Sequence, residues 1–127
     1  MSLIPSLTDI PDLAPVEPGE YSLNVTKVLG DKKSKNTGRS AIGLIIDIDG
    51  EDNALPVFHD IWLPMDSDAD DKKETMWRMI KEFCTSVGLG TDEGLEAEDF
   101  EDLSFDAILD LVQEEDYPPK NVIKKVL

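Results

Sequence analysis

Four lysines and one arginine, Lys27, Lys32, Lys33, Lys35 and Arg39, fall within thirteen positions and are opposed there only by Asp31. Ammonium and guanidinium groups held that close together are what phosphate oxygens bind, the first as point charges and the second as a planar fork. The setting sharpens the point. With 28 Asp and Glu against 12 Lys and Arg, the chain has a formal net charge of −16, yet five of its twelve cations crowd into this one stretch. An acidic excess of that size repels nucleic acid at long range, so phosphate contact requires a local patch that overcomes the mean field. The structural alternative is a solvated hairpin tip whose cations offset neighbouring carboxylates.

The other constellations carry less chemistry. Asp66-Ser67-Asp68-Ala69-Asp70-Asp71 begins like a calcium loop, but Asp71 stands where the sharp turn needs glycine, and Trp77 where a bidentate glutamate belongs. The segment reads instead as a helix start, with Asp71 and Glu74 three residues later as its capping pair. Gly88, Gly90 and Gly94 imitate a dinucleotide fingerprint, but they are spaced one residue too long and follow a helix, which makes them cap and loop. His59 has no second histidine and only a distant Cys84 to share a zinc ion with. No phosphate-cradling glycine loop, nucleophile elbow or Cys-His spacing supports catalysis, and no cofactor is implied.

A chain of 127 residues, 40% hydrophobic and 31% charged, suits one soluble domain with its own core. The single Cys84 allows no intrachain disulfide and fits a reducing compartment. No apolar run approaches the ~18 residues of a membrane span. The start of the chain lacks the pattern of a signal peptide, so a cytoplasmic location is expected.

Residues 1–18 hold Pro5, Pro11, Pro15 and Pro18 among scattered Leu and Ile, which suits an extended arm. The arm either drapes loosely on the domain or docks on a neighbouring copy, the second use sparing Leu3, Ile4, Leu7, Ile10, Leu13 and Val16 from solvent. From Gly19 the period becomes two. Tyr21, Leu23 and Val25 face one way and Ser22, Asn24 and Thr26 the other, in a strand predicted to end near Val28. A second strand sets Ile42, Leu44, Ile46 and Ile48 against Ala41, Gly43, Ile45 and Asp47, and closes at Asp49-Gly50.

The third strand, about 56–63, requires a choice of parity. Pointing Val57, His59, Ile61 and Leu63 inward leaves Phe58, Asp60 and Trp62 outside, whereas the reverse buries Asp60 without a partner and makes Trp62 core. A helix with Met76, Met79, Ile80, Phe83, Cys84 and Val87 as its core stripe follows and ends at Gly88. Seven carboxylates between Asp92 and Asp102 read as a solvated linker, which Leu95, Phe100 and Leu103 could pin down. Phe105, Ala107, Leu109 and Leu111 alternate as a fourth strand, with helix as the competing reading. After a loop at 114–119 the last strand occupies 120–127.

Strand, strand, strand, helix, strand, strand is the order of the OB-fold, a mainly β, five-stranded Greek-key barrel with one α-helix between strands 3 and 4. On that reading residues 1–18 are an arm and residues 19–127 the barrel domain. The basic stretch becomes the loop after strand 1, and the loop holding Tyr117 the one after strand 4, both positions where OB-folds hold oligonucleotides. Single-strand sites join a cationic groove to aromatic faces on which bases stack. Lys27, Lys32, Lys33, Lys35 and Arg39 offer the first, and Phe58, Trp62 and Tyr117 the second. Lys120 and Lys124 or Lys125 could extend the groove. Tyr117, beside two prolines, also suits a packed loop anchor.

Gly19-Glu20-Tyr21, Ser34-Lys35-Asn36-Thr37-Gly38, the apolar strand to Asp47, Asp60-Ile61-Trp62-Leu63-Pro64, Val87-Gly88-Leu89 and Lys120-Asn121-Val122-Ile123 together resemble phage-encoded proteins related to OB-fold single-stranded DNA-binding proteins. The resemblance runs from Gly19 to Leu127 on short, degenerate motifs. It implies a non-catalytic protein that protects or organises single-stranded DNA in phage replication or recombination, in the host cytoplasm. Implied partners are single-stranded DNA, replication or recombination proteins and, through the arm, further copies of the chain, with no membrane. Single-strand-binding proteins with an acidic tail recruit partners through it. Here the sequence closes on Lys124-Lys125-Val126-Leu127, so the tail is absent, or was removed, or its task falls to residues 92–102. The net charge favours a different class, an acidic adaptor or nucleic-acid mimic that engages a basic protein.

Overall fold

The computed structural model describes residues 3–127; Met1 and Ser2 of the expected arm lie outside the described residues. Five antiparallel strands form one sheet in the order β3-β2-β1-β4-β5. They are β1 (Gly19–Lys33), β2 (Ser40–Ile48), β3 (Val57–Trp62), β4 (Ser104–Val112) and β5 (Lys120–Val126), with helix α1 (Asp70–Ser86) between β3 and β4. The edge strands β3 and β5 also touch, so the sheet curls on itself, although no hydrogen-bonded ladder joins them among the described residues.

Period-two patterning places the core. Leu23, Val25, Leu44, Ile46, Val57, Ala107 and Leu109 are all fully buried on the concave side, joined there by Phe100, Cys84 and Val87. In β4 the strand prevails over the helical stripe because the first half of β1 has a free edge to fill. Leu23 lies opposite Phe105, Tyr21 opposite Ala107 and Gly19 opposite Leu109. Tertiary pairing outweighs the helix propensity of Ala and Leu.

The first strand does not end near Val28. It continues to Lys33, through two places where β1 carries one residue more than β2, between Val25 and Lys27 and between Leu29 and Lys32. Such bulges reset which residues face the core. Val28 becomes the inward residue after Val25, and Lys27 turns outward. At the first bulge the N–H of Val25 donates to the Leu103 carbonyl at 2.8 Å, and Val25 in turn accepts from the N–H of Asp102 at 3.1 Å. The expected acidic linker is thereby docked. Residues 97–100 form a 3-10 turn whose Phe100 is core, Leu103 is half-buried, and Leu95 stays exposed with the seven carboxylates.

The helix also corrects two expectations. Its N-cap is Ala69, with no side-chain cap, so Asp71 and Glu74 are not a capping pair; Asp70 and Asp71 occupy the first turn, where they complement the dipole, and Glu74 pairs with Arg78 at 2.9 Å. Of the stripe, Cys84 and Val87 are buried and Ile80 and Phe83 half-buried, but Met79 faces solvent and Met76 only half leaves it. The end is as expected. Gly88, at φ +87°, donates to the Thr85 carbonyl and Leu89 to that of Cys84, the paired closure that a left-handed residue permits.

Asn121 ties the arm to the body. Its side chain accepts from the Val16 N–H at 2.8 Å and donates to the Val16 carbonyl at 2.9 Å and the Asp110 carbonyl at 3.2 Å, imitating a strand partner while itself buried. Ala14 adds a parallel bridge to Ala54. Asn121→Ala leaves the Val16 and Asp110 groups without these partners and should cost about 1–3 kcal/mol. Urea denaturation measures that loss, and limited proteolysis should show faster cleavage ahead of Tyr21.

Candidate nucleic-acid interface

Cross-strand pairing lines up the outer face of β1, β2 and β3 in rows. Lys27 lies opposite Ile45 and Ile45 opposite Phe58; Leu29, Gly43 and Asp60 form the next row; Lys32, Ala41 and Trp62 the third. Directly opposed residues share a face, so each row runs from a β1 residue to a β3 residue across a small or apolar one. Phe58 is 64% exposed and Trp62 38%, while the residue before each, Val57 and Ile61, is buried, so the aromatic pair faces out. Four residues along a strand separate their rings by roughly 13 Å. The arm leaves Phe58 and Trp62 open: it is held by Asn53, Ala54, Leu55 and the Asn121 side chain, and its Leu13 reaches the Asn24, Thr26 and Asp47 end of the face.

Asp60 would set a negative charge between the two aromatics. Lys32 answers it, with Nζ at 2.9 Å from both carboxylate oxygens. Gly43 makes room for that reach, since a Cβ there would meet Asp60 Oδ1 at 3.4 Å and the Lys32 stem at 3.5 Å. Lys32 thus neutralises the face more than it charges it.

Arg39 is spent inside the fold. Its guanidinium grips Asp68 through two bonds of 2.7 and 2.9 Å and donates to the Leu63 carbonyl at 3.1 Å, and the side chains of Arg39 and Asp68 are only 14% and 7% exposed. Asp68 also accepts from the Met65 N–H at 2.8 Å, with Lys72 3.6 Å away. The hydrogen bonds from Arg39 and then from Met65 hold the Asp68 carboxyl well below the usual carboxylate range, and the Asp68 bond raises the Arg39 pKa in turn. Sequence reasoning missed this clamp. Neither residue's neighbourhood hints at a partner 29 positions away, and the acidic run around Asp68 resembles a helix cap.

Lys27, Lys33 and Lys35 remain, exposed and with no ion pair among the described residues. Lys33 sits opposite Ser40 and Lys35 in the turn of residues 34–39, at the end of the sheet where Leu63, next to Trp62, donates to the Ser40 carbonyl. At the opposite end Asp47 near the end of β2 and Asp49, Glu51 and Asp52 in the turn after it are all exposed, so the face runs from a basic end to an acidic one. Tyr117, 66% exposed, lies in the loop between β4 and β5; Lys120 sits 3.7 Å from Glu114, and Lys124 is the extra residue at a β5 bulge. These three belong to the far side of the sheet order and do not join the rows of Phe58 and Trp62.

Beside the aromatic face, an apolar groove of about 410 Å³ opens between β3 and α1, walled by Trp62, Met76, Met79, Ile80 and Phe83. His59 stacks on Phe83 at 4.9 Å, and burial pushes its pKa down against the opposing pull of Asp60. Among the described residues no group of three or more His, Cys, Asp or Glu side chains could hold a metal ion, and no helix is long and apolar enough to cross a membrane. Burial pushes the Cys84 thiol up, away from the reactive thiolate. A thiol reagent such as DTNB should therefore label Cys84 only as fast as the protein unfolds, and immediate labelling in buffer would refute its burial. The chain matches no protein-family model, and no curated protein matches it significantly.

Proposed function

We propose that the protein is a non-catalytic single-stranded DNA-binding protein built on an OB-type Greek-key barrel, acting in phage replication or recombination inside the host cell. The carrying observation is the outward row structure of β1 to β3. Exposed Phe58 and Trp62 stand on a largely apolar surface, with Lys27 across the sheet from one and the Lys33–Lys35 end beside the other. The strand order, the contact of β3 with β5 and the position of α1 support the barrel reading. Bases stack on the aromatics while phosphates follow the lysines, a mode that tolerates any sequence.

Fluorescence anisotropy of a labelled oligo-dT at low salt tests the reading. Saturable binding should weaken steeply as salt rises and should fall sharply in Lys33→Glu/Lys35→Glu, which also flattens the salt slope. Absence of binding at roughly tens of micromolar protein and low salt, where even non-specific phosphate contacts tighten, would sink it. The exposed ridge of seven carboxylates at residues 92–102, in a chain of −16, favours a second reading as an acidic adaptor or nucleic-acid mimic. That reading expects no oligo-dT binding and salt-sensitive capture of a basic protein instead.

A further inference from the structure

The arm carries a pattern of its own. Ile4, Leu7, Ile10, Leu13 and Val16 recur at every third position, with Pro5, Pro11 and Pro15 among them. Three residues per turn is the period of the polyproline II helix, so in that conformation the five apolar side chains form a single stripe, one every ~9 Å. Only Val16 finds cover. Leu3, Ile4, Leu7, Ile10 and Leu13 are all exposed, Leu3 almost completely. A second unpaired apolar surface is the groove between β3 and α1, where Met79 is 63% exposed beside Trp62 and Phe83. Aromatic-lined grooves are what polyproline II segments dock into; in the single chain residues 7–10 form a turn closed by the Ile10 N–H on the Leu7 carbonyl at 3.1 Å, which docking has to open.

The arm cannot simply fold back into its own groove. Ala14 pairs with Ala54 in the parallel sense, so residues before Ala14 run alongside residues before Ala54, away from β3 and toward the turn after β2. Reaching Trp62 and Met79 of the same chain would demand a reversal of direction at that bridge. Charge points the same way. The arm's ionisable side chains up to Glu17 are Asp9, Asp12 and Glu17 themselves; Asp60, which lines the groove, is already neutralised by Lys32, and Lys72 stands beside Trp62 and Met76 at the groove's edge, shared with Asp68 at 3.6 Å. The larger cavity on the other flank of α1 is lined by Asp92 and Glu93, which would repel the arm.

We propose that residues 3–13 of one copy dock, as a polyproline II segment, in the groove between β3 and α1 of a second copy. The contact joins two different surfaces, so it is head-to-tail and propagates from copy to copy instead of closing as an isologous pair. It stands without the nucleic-acid reading, and its test contains no nucleic acid. Salt separates the two further. Copies carrying −16 each repel, so screening strengthens this association, whereas salt weakens phosphate binding.

Sedimentation velocity of the full chain over a wide concentration series, at low and high salt, reads the assembly. Mass should rise with concentration, more so at high salt. Leu7→Glu/Ile10→Glu in the arm and Met79→Glu in the groove, all at exposed positions that spare the fold, should each weaken association about tenfold or more. The mixture decides the geometry. The arm variant keeps an intact groove and the groove variant an intact arm, so together they should form a dimer that grows no further. A monomeric wild type at every concentration, a Met79→Glu protein that assembles normally, or a mixture that stays monomeric each overturns the proposal.

Discussion

Replacing Asp68 by asparagine should lower the melting temperature at neutral pH by on the order of ten degrees, more than any change at an exposed lysine. The carboxylate receives both arms of Arg39 and the Met65 N–H while almost wholly shielded from water. An amide accepts with one oxygen only. It leaves part of the guanidinium unpaired beside the Leu63 carbonyl and loses the charge that Arg39 was placed to meet. Arg39→Lys should fail almost as badly, because a point charge cannot replace a planar fork. The clamp joins the turn of residues 34–39 to the start of α1, so its loss should loosen the lysine-bearing turn as well as the fold.

The same pair predicts how wild type and variant differ with pH. A carboxyl whose folded pKa is depressed contributes stability that is present above its unfolded value, about 3.9, and is lost as pH falls through the folded one. The advantage of wild type over Asp68→Asn should therefore hold across neutral and mildly acid pH and shrink below about pH 4. His59 acts in a separate window. Its folded pKa is lowered by burial, so the unfolded chain takes up the proton first, and stability falls as pH drops below about 6.5 in wild type and variant alike. Thermal melts at stepped pH check both, and a gap that is largest in strong acid would refute the assignment to Asp68.

The alternation of apolar residues was enough to read the five strands, the inward set on β3 and the helix that ends at Gly88, because burial on one face leaves a period the sequence must show. Where it failed, the controlling contact was remote. Nothing local announces that β1 would carry two bulges, yet these decide that Lys27 and Lys32 share the outer face with Phe58 and Trp62. Arg39 read as a phosphate ligand since its inward partner lies 29 residues on. Asn121 entered only as part of the Lys120–Ile123 stretch of the last strand, with nothing to mark its amide as the group that holds Val16. At Val25, Arg39 and Asn121 a polar group is satisfied across the fold, and hydrogen-bond satisfaction has no period.

Removing the aromatic pair should produce the largest loss of single-strand affinity. Stacking contributes about 1–3 kcal/mol per base, so Phe58→Ala/Trp62→Ala should weaken oligo-dT binding by a factor between about 30 and 10⁴. Both rings are substantially exposed, and the core residues of the same strand, Val57 and Ile61, are untouched, so the melting temperature should move by only a few degrees. The salt slope carries the discriminating information. It counts the phosphates that cations neutralise, so it should stay unchanged in the aromatic double variant while affinity collapses, and should flatten in Lys33→Glu/Lys35→Glu. Aromatics that merely shape the lysine end would instead alter slope and affinity together. If the double variant binds as tightly as wild type, the bases stack elsewhere, and Tyr117, exposed in the loop between β4 and β5, becomes the side chain to replace next.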